Sequence, residues 1–194
     1  MKSLRPVLRS ALPAIVAVAA LLLSACSSSG GSGDQYSFSG AQRVGSLIPA
    51  ADRKPVPDFG GSLLSHGTYK LSAYQGKAIV VNFWGTWCGP CTVETPAFQQ
   101  VYAAYKSKGV TFVGIDIKDG TRDAPRSFVR DNHITYPIVY DENGETALRM
   151  GNIRVQATPF TVLLDKQHRV AGVYVGPLTA KDLDPMLNKL VAEA

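Results

Sequence analysis

The stretch WGTWCGPCTVETP, residues 84–96, constrains this 194-residue chain more than any other. It sets Cys88 and Cys91 either side of a Gly-Pro pair in a sequence with only one further cysteine, Cys26. The apolar run AIVVNFW leads into it and suits a central strand, buried on both faces. Behind it, Val93, Ala97, Val101 and Ala104 recur at spacings of three and four, the period of a helix that Gly109 ends as a C′ residue. Pro96 falls inside that helix and is expected to kink it. Two thiols between such a strand and such a helix admit two readings: half of a metal site, or a disulfide built to open and close.

A metal site needs about four ligands, and the chain has no second cysteine pair. His66, His133 and His168 are scattered and read as surface or loop histidines, so no metal is expected. Peroxide reduction would need a Pro-x-x-x-Thr-x-x-Cys pattern, but Val81 and Trp84 stand where its proline belongs. Dithiol chemistry fits better. A helix that starts at the pair aims unpaired backbone N–H groups at the first sulfur, and such settings bring a thiol from about 8.5 into the range of about 3.5–7.5. Cys88 is therefore the expected nucleophile, and Cys91, nearly one helical turn on, the thiol that resolves a mixed disulfide. Gly89 permits the tight bend, and Pro90 suits a first helical turn because no N–H is needed there.

The first 25 residues have a different character. Lys2, Arg5 and Arg9 precede ALPAIVAVAALLL, which small residues close, the layout of an export signal. Thirteen apolar residues rise only about 20 Å as a helix, short of the roughly 30 Å hydrocarbon core. LSAC, residues 23–26, resembles the lipobox of bacterial lipoproteins, which makes Cys26 the lipidated N-terminus of the mature chain. The SSSGGSG that follows can tether but not pack, holding the domain about 20 Å from the bilayer on average. The expected organisation is a signal peptide over 1–25, a lipidated tether over 26–53 and one domain over 54–194. Removing the signal takes away three of 20 basic residues and none of 15 acidic ones, leaving 17 − 15 = +2, which points to no nucleic-acid partner. The expected location is the extracytoplasmic side of a bacterial cell membrane, an oxidising compartment in which Cys88 and Cys91 have only each other to bond.

Along the domain, VTFVGIDI forms a second continuous apolar strand. A helical stretch over 122–132, the strand PIVY and a short helix near 145–150 follow. PFTVLLD and RVAGVYVG, joined by KQH, read as a hairpin, and an amphipathic helix over 179–192 closes the chain. This order predicts an α/β fold with a central mixed sheet covered by helices on both faces.

FWGTWCGPC followed by ATPF resembles the thioredoxin superfamily over roughly 54–192, and VVNFW, CTVETP and GIDIKDG resemble its membrane-tethered TlpA/ResA branch. The resemblance implies a thioredoxin-like fold and a thiol–disulfide oxidoreductase with no cofactor beyond the Cys88–Cys91 disulfide. It also implies that Pro159 is a cis-proline and that backbone at Thr158 pairs with an extended substrate segment. Trp87, Gly89 and Pro90 then belong to the surface that meets partners. Asn82 stands where cytosolic thioredoxins resemble one another in carrying a buried aspartate. Glu94, which matches the branch's Cys-x-x-Glu-x-Pro pattern, and Asp119 are the acids that could replace it. The expected partners are exported protein disulfides, with apocytochrome c a candidate, and a membrane thiol–electron carrier that re-reduces a monomeric, lipid-anchored protein. Two other readings remain at this stage: a disulfide donor to exported proteins, and a non-catalytic copper chaperone, whose Cys-x-x-x-Cys spacing is one residue longer than the one here.

Overall fold

A computed structural model describes residues 40–151, 153 and 157–193; the signal, Cys26 and the tether as far as 39 lie outside them. A five-stranded sheet in the order β5-β4-β3-β6-β7 forms the centre. Its strands are β3 (Ala78–Trp84), β4 (Val110–Ile117), β5 (Ile138–Asp141), β6 (Phe160–Leu164) and β7 (Val170–Val175). β3, β4 and β5 run parallel, while β6 is antiparallel to β3 and β7. Every residue of β3 and β4 is buried, which is why both read as unbroken apolar runs instead of alternating ones.

Helix α1 (Gly89–Tyr105) follows β3, and Gly109 (φ 85°) closes the short turn after it in the left-handed conformation. α2 (Asp123–Asp131) joins β4 to β5, α3 (Thr146–Arg149) follows β5, and α4 (Ala180–Ala192) ends the chain. The side chain of Thr179 and its partner Asp182 form a capping box at the start of α4. Phe98 and Val101 of α1, Leu183 and Leu187 of α4 and Phe128 of α2 pack with Val80, Trp84 and Phe112 on one face. On the other, Ala147 of α3 joins Val56, Phe59, Tyr69 and Leu71 over Ile79, Val81 and Ile115. The two-sided mixed sheet expected from the sequence is present, its second face covered largely by N-terminal chain.

The fold begins earlier than Lys54. Gln42 N–H donates to Val173 O (2.7 Å), Ile48 N–H to Ala171 O (2.8 Å) and the Tyr174 hydroxyl to Ser46 O (2.5 Å). Arg53 is buried against Asp165 and Glu193. Residues 42–53 therefore lie along β7, held by backbone pairing and an ion pair that carry no apolar period. The hairpin of β1 (Gly60–Ser62) and β2 (Thr68–Lys70) is likewise unmarked in the sequence, since each strand has only three residues. His168 does lie in a turn, between β6 and β7, but it is buried (5% exposed) with Nε2 3.1 Å from Tyr74 O. Among the described residues no helix is long and apolar enough to cross a membrane.

Candidate active site at the start of helix α1

Chain leaving β3 turns sharply before α1, and the end of β4 holds that turn. Thr86 donates to the Asp119 carboxylate twice, from its backbone N–H (2.9 Å) and its hydroxyl (2.6 Å). The Trp87 indole N–H donates to Ile117 O (2.9 Å). Gly85 fits this crossing because a Cβ there would lie 2.4 Å from Trp87 Nε1 and 2.9 Å from Ile117 O. Cys88 is thus delivered as the N-cap of α1, where its carbonyl accepts from the N–H groups of Cys91 (3.0 Å) and Thr92 (3.2 Å). Pro90 stands in the first turn, exposed like Gly89. Cys88 and Cys91 are joined as a disulfide with S–S 2.03 Å. Cys91 has no exposed surface, and Cys88 retains 5%. An approaching sulfur meets Cys88 first.

Glu94 lies on the same face of α1 as Cys91, one turn further on, and is 3% exposed. Its carboxylate accepts from Asn82 Nδ2 (2.9 Å) and from the Leu178 N–H (2.6 Å). Asn82 Nδ2 also reaches Thr161 Oγ1 (3.2 Å). The helix therefore brings an acid onto the residue whose own acid is missing. Burial pushes Glu94 up to about 7, with the bonds from Leu178 and Asn82 pulling the other way.

The Thr158–Pro159 peptide is cis. Phe160 pairs with Phe83 in the sheet, so this bond falls beside the end of β3, level with the turn that carries the cysteines. Trp87 stands 52% exposed, and Thr158 is half-buried. Glu94 of α1 thus meets Asn82 of β3 on the face that carries Cys91, and cis-Pro159 stands at the start of β6 beside the end of β3. Asp119 reaches the same place only through Thr86, behind the cysteines. Asp116 was not among the acids that the sequence singles out: it has no exposed surface, and neither carboxyl oxygen has a partner at hydrogen-bonding geometry. Its signal was an acid inside an otherwise apolar strand.

Residues 50–190 match the sequence model of the Redoxin family. The chain is similar to the thiol-disulfide oxidoreductase ResA of Oceanobacillus iheyensis, 31% identical over 151 residues, 78% of this chain and 74% of the relative. The ResA of Bacillus thuringiensis is 34% identical over 137 residues, 71% of this chain and 77% of the relative. Among solved structures, a secreted thiol-disulfide isomerase from Corynebacterium glutamicum superposes with a TM-score of 0.77 at 33% identity, across 82% of this chain and 99% of its own. A DsbF homologue from Corynebacterium diphtheriae gives 0.75 at 34%, across 80% and 99%.

Proposed function

The chain belongs to the Redoxin family and is a thiol-disulfide oxidoreductase of the ResA type with a thioredoxin-like fold, and from that premise we propose that it reduces disulfides of exported proteins, apocytochrome c among them. The observation that carries this reading is the arrangement of the Cys88–Cys91 disulfide at the mouth of α1 with the buried acid Glu94 one turn behind Cys91.

In the reduced protein the Cys88 thiolate attacks one sulfur of a partner disulfide. A mixed disulfide forms and one partner thiolate leaves. Cys91 gives its proton to Glu94 and attacks Cys88, which breaks the mixed disulfide, releases the second partner thiolate and closes Cys88–Cys91. Two electrons have then passed to the partner. A carboxyl poised near neutrality suits that proton transfer in either direction. The backbone beside cis-Pro159 and the exposed face of Trp87 hold the partner's extended segment during the exchange. A membrane thiol–electron carrier restores the dithiol, since two cysteines store only one electron pair.

The lipobox at Cys26 and the polar tether after it support a lipid anchor on the extracytoplasmic side. Cys26→Ala is expected to alter signal processing or release the protein from membranes, with exchange activity retained. Processing and attachment left unchanged, both by this substitution and by globomycin, would remove the anchor from the reading.

Direction is tested in cells. Deleting the protein is expected to lower covalent cytochrome c, and dithiothreitol or loss of the main disulfide-forming enzyme to restore it. Normal haem-stained cytochromes with exported proteins left reduced would reject the reductase and favour a disulfide donor.

A further inference from the structure

Side chains alternate along β4, so Phe112, Gly114 and Asp116 share the face that carries Trp84. The Trp84 indole lies over Gly114, where a Cβ would come within 2.9 Å of Nε1. Asp116 is the ladder partner of Trp84 and the next residue in that row. An ionised carboxylate there would be a buried charge without a hydrogen bond, one of the costlier arrangements in a protein interior. Burial pushes Asp116 up to about 9, and the nearby Asp119 carboxylate, acting through proximity and not through a formed hydrogen bond, raises it further. Asp141 on β5 adds to the rise, and Arg122 at the start of α2 opposes it. At neutral pH the side chain carries its proton.

The Asp119 side chain receives both hydrogen bonds from Thr86, two residues before the nucleophile. The Tyr140 hydroxyl donates to the Asp119 carbonyl (2.6 Å), and the Arg122 guanidinium lies 4.4 Å over the Tyr140 ring. The charged and titratable groups around Asp116 are therefore Asp119, Arg122, Tyr140 and Asp141.

We propose that Asp116 is a positioning residue for disulfide exchange: while uncharged it lets the Asp119 carboxylate hold the 85–87 turn behind Cys88, and when ionised it weakens that hold. The proton goes to solvent and no electron moves. A second negative charge beside the Asp119 carboxylate repels it, so the group that Thr86 grips is displaced. Trp87 remains tied to Ile117 O by a single hydrogen bond, and the Cys88 sulfur loses its fixed approach.

Two measurements on the mature protein test this. In the oxidised form, where no thiol titrates, the 13C shift of the Asp116 carboxyl carbon is followed against pH together with the Thr86 amide resonance. Both are expected to move above pH 8 with one midpoint. In the reduced form, kcat/KM for a small aromatic disulfide is followed from pH 7 to 10 for the natural protein, Asp116→Asn and Asp119→Asn. Each rate is scaled to its own value at pH 7 and to a model dithiol. One pH unit above its midpoint an acid is about nine-tenths ionised, so the natural protein should fall up to about tenfold below Asp116→Asn at pH 10. Asp119→Asn, which has no carboxylate for Asp116 to repel, should show no such fall. Titration of the Asp116 carbon near pH 4, a Thr86 amide that does not follow it, or an Asp116→Asn profile that tracks the natural one would each overturn the proposal. The carbon and amide titrations decide it if a variant does not fold.

Discussion

Replacing Glu94 with glutamine should make the protein more stable at alkaline pH and leave it nearly unchanged at acid pH. An ordinary glutamate titrates near 4.5, and burial raises this one to about 7. The native state therefore keeps the proton up to about pH 7, whereas the unfolded chain gives it up above about 4.5. Stability then falls as pH rises through that window, by about 3 kcal/mol once pH exceeds both values. Glutamine has the shape of the protonated acid and titrates nowhere. At pH 4 both forms offer one good acceptor to the two donors, Asn82 Nδ2 and the Leu178 N–H, so their stabilities should lie within about 1 kcal/mol. At pH 8 Glu94→Gln should exceed the natural protein by about 3 kcal/mol. With a urea m-value of about 1–3 kcal/mol/M, that is a midpoint shift of about 1–3 M. Urea unfolding of the oxidised protein at both pH values, followed by near-UV circular dichroism, measures it. Other groups titrate in the same range but cancel in the difference between the two proteins. A stability difference that is the same at pH 4 and pH 8 would refute both the raised value of Glu94 and its service as a proton acceptor at neutral pH.

The two cysteines should differ when each is removed. Cys91→Ala is expected to accumulate mixed disulfides with partners, since Cys88 can attack but nothing resolves the product, while Cys88→Ala traps none; equal trapping on non-reducing gels would reverse the assigned roles. Arg53→Met leaves Asp165 and Glu193 without their shared cation, and Asp165 is fully buried, so a loss of about 3–5 kcal/mol in urea unfolding is expected, offset in part by the Arg169 contact to Asp165. Gly114→Ala drives a Cβ to 2.6 Å from Ile138 Cδ1 and 2.9 Å from Trp84 Nε1, so a loss of about 1–3 kcal/mol with altered indole fluorescence is expected. An unchanged midpoint and emission would mean that the Trp84 row is loosely packed.

The parts of the fold that are legible in the sequence are those with a single dominant cause. β3 and β4 lie where the apolar runs AIVVNFW and VTFVGIDI stand, because a strand covered on both faces tolerates almost nothing polar along its whole length. The hairpin of β6 and β7 follows from turn chemistry in the same way, and α1 lies where its period placed it. The stripe of Val93, Ala97, Val101 and Ala104 is not its inner face, however: Val93 is 77% exposed, and Cys91, Glu94, Phe98, Val101 and Tyr105 are among the residues turned to the core. What stays hidden is held by interactions that leave no local pattern. Residues 42–48 join β7 through backbone groups, which every residue possesses, and Arg53 does not stand out among the other isolated charges of its stretch. The site divides along the same line. Cys88, Cys91 and Glu94 fall within two turns of one helix; the two cysteines can be read from their spacing, and Glu94 from the resemblance of CTVETP to the TlpA/ResA branch. That Glu94 meets Asn82 requires α1 to fold back over β3, a contact between residues that spacing alone does not connect. Asp116 and Asp119 are the sharpest case. Both sit in GIDIKDG, and on sequence grounds Asp119 is the acid favoured for chemistry. In the fold, strand parity sends Asp116 inward beside Trp84, while Asp119, just past the end of β4, turns back to grip Thr86. Two acids three residues apart thereby acquire different settings, one buried without a hydrogen-bond partner and the other holding the turn before Cys88. That separation comes from the sheet, not from any property of the two side chains alone.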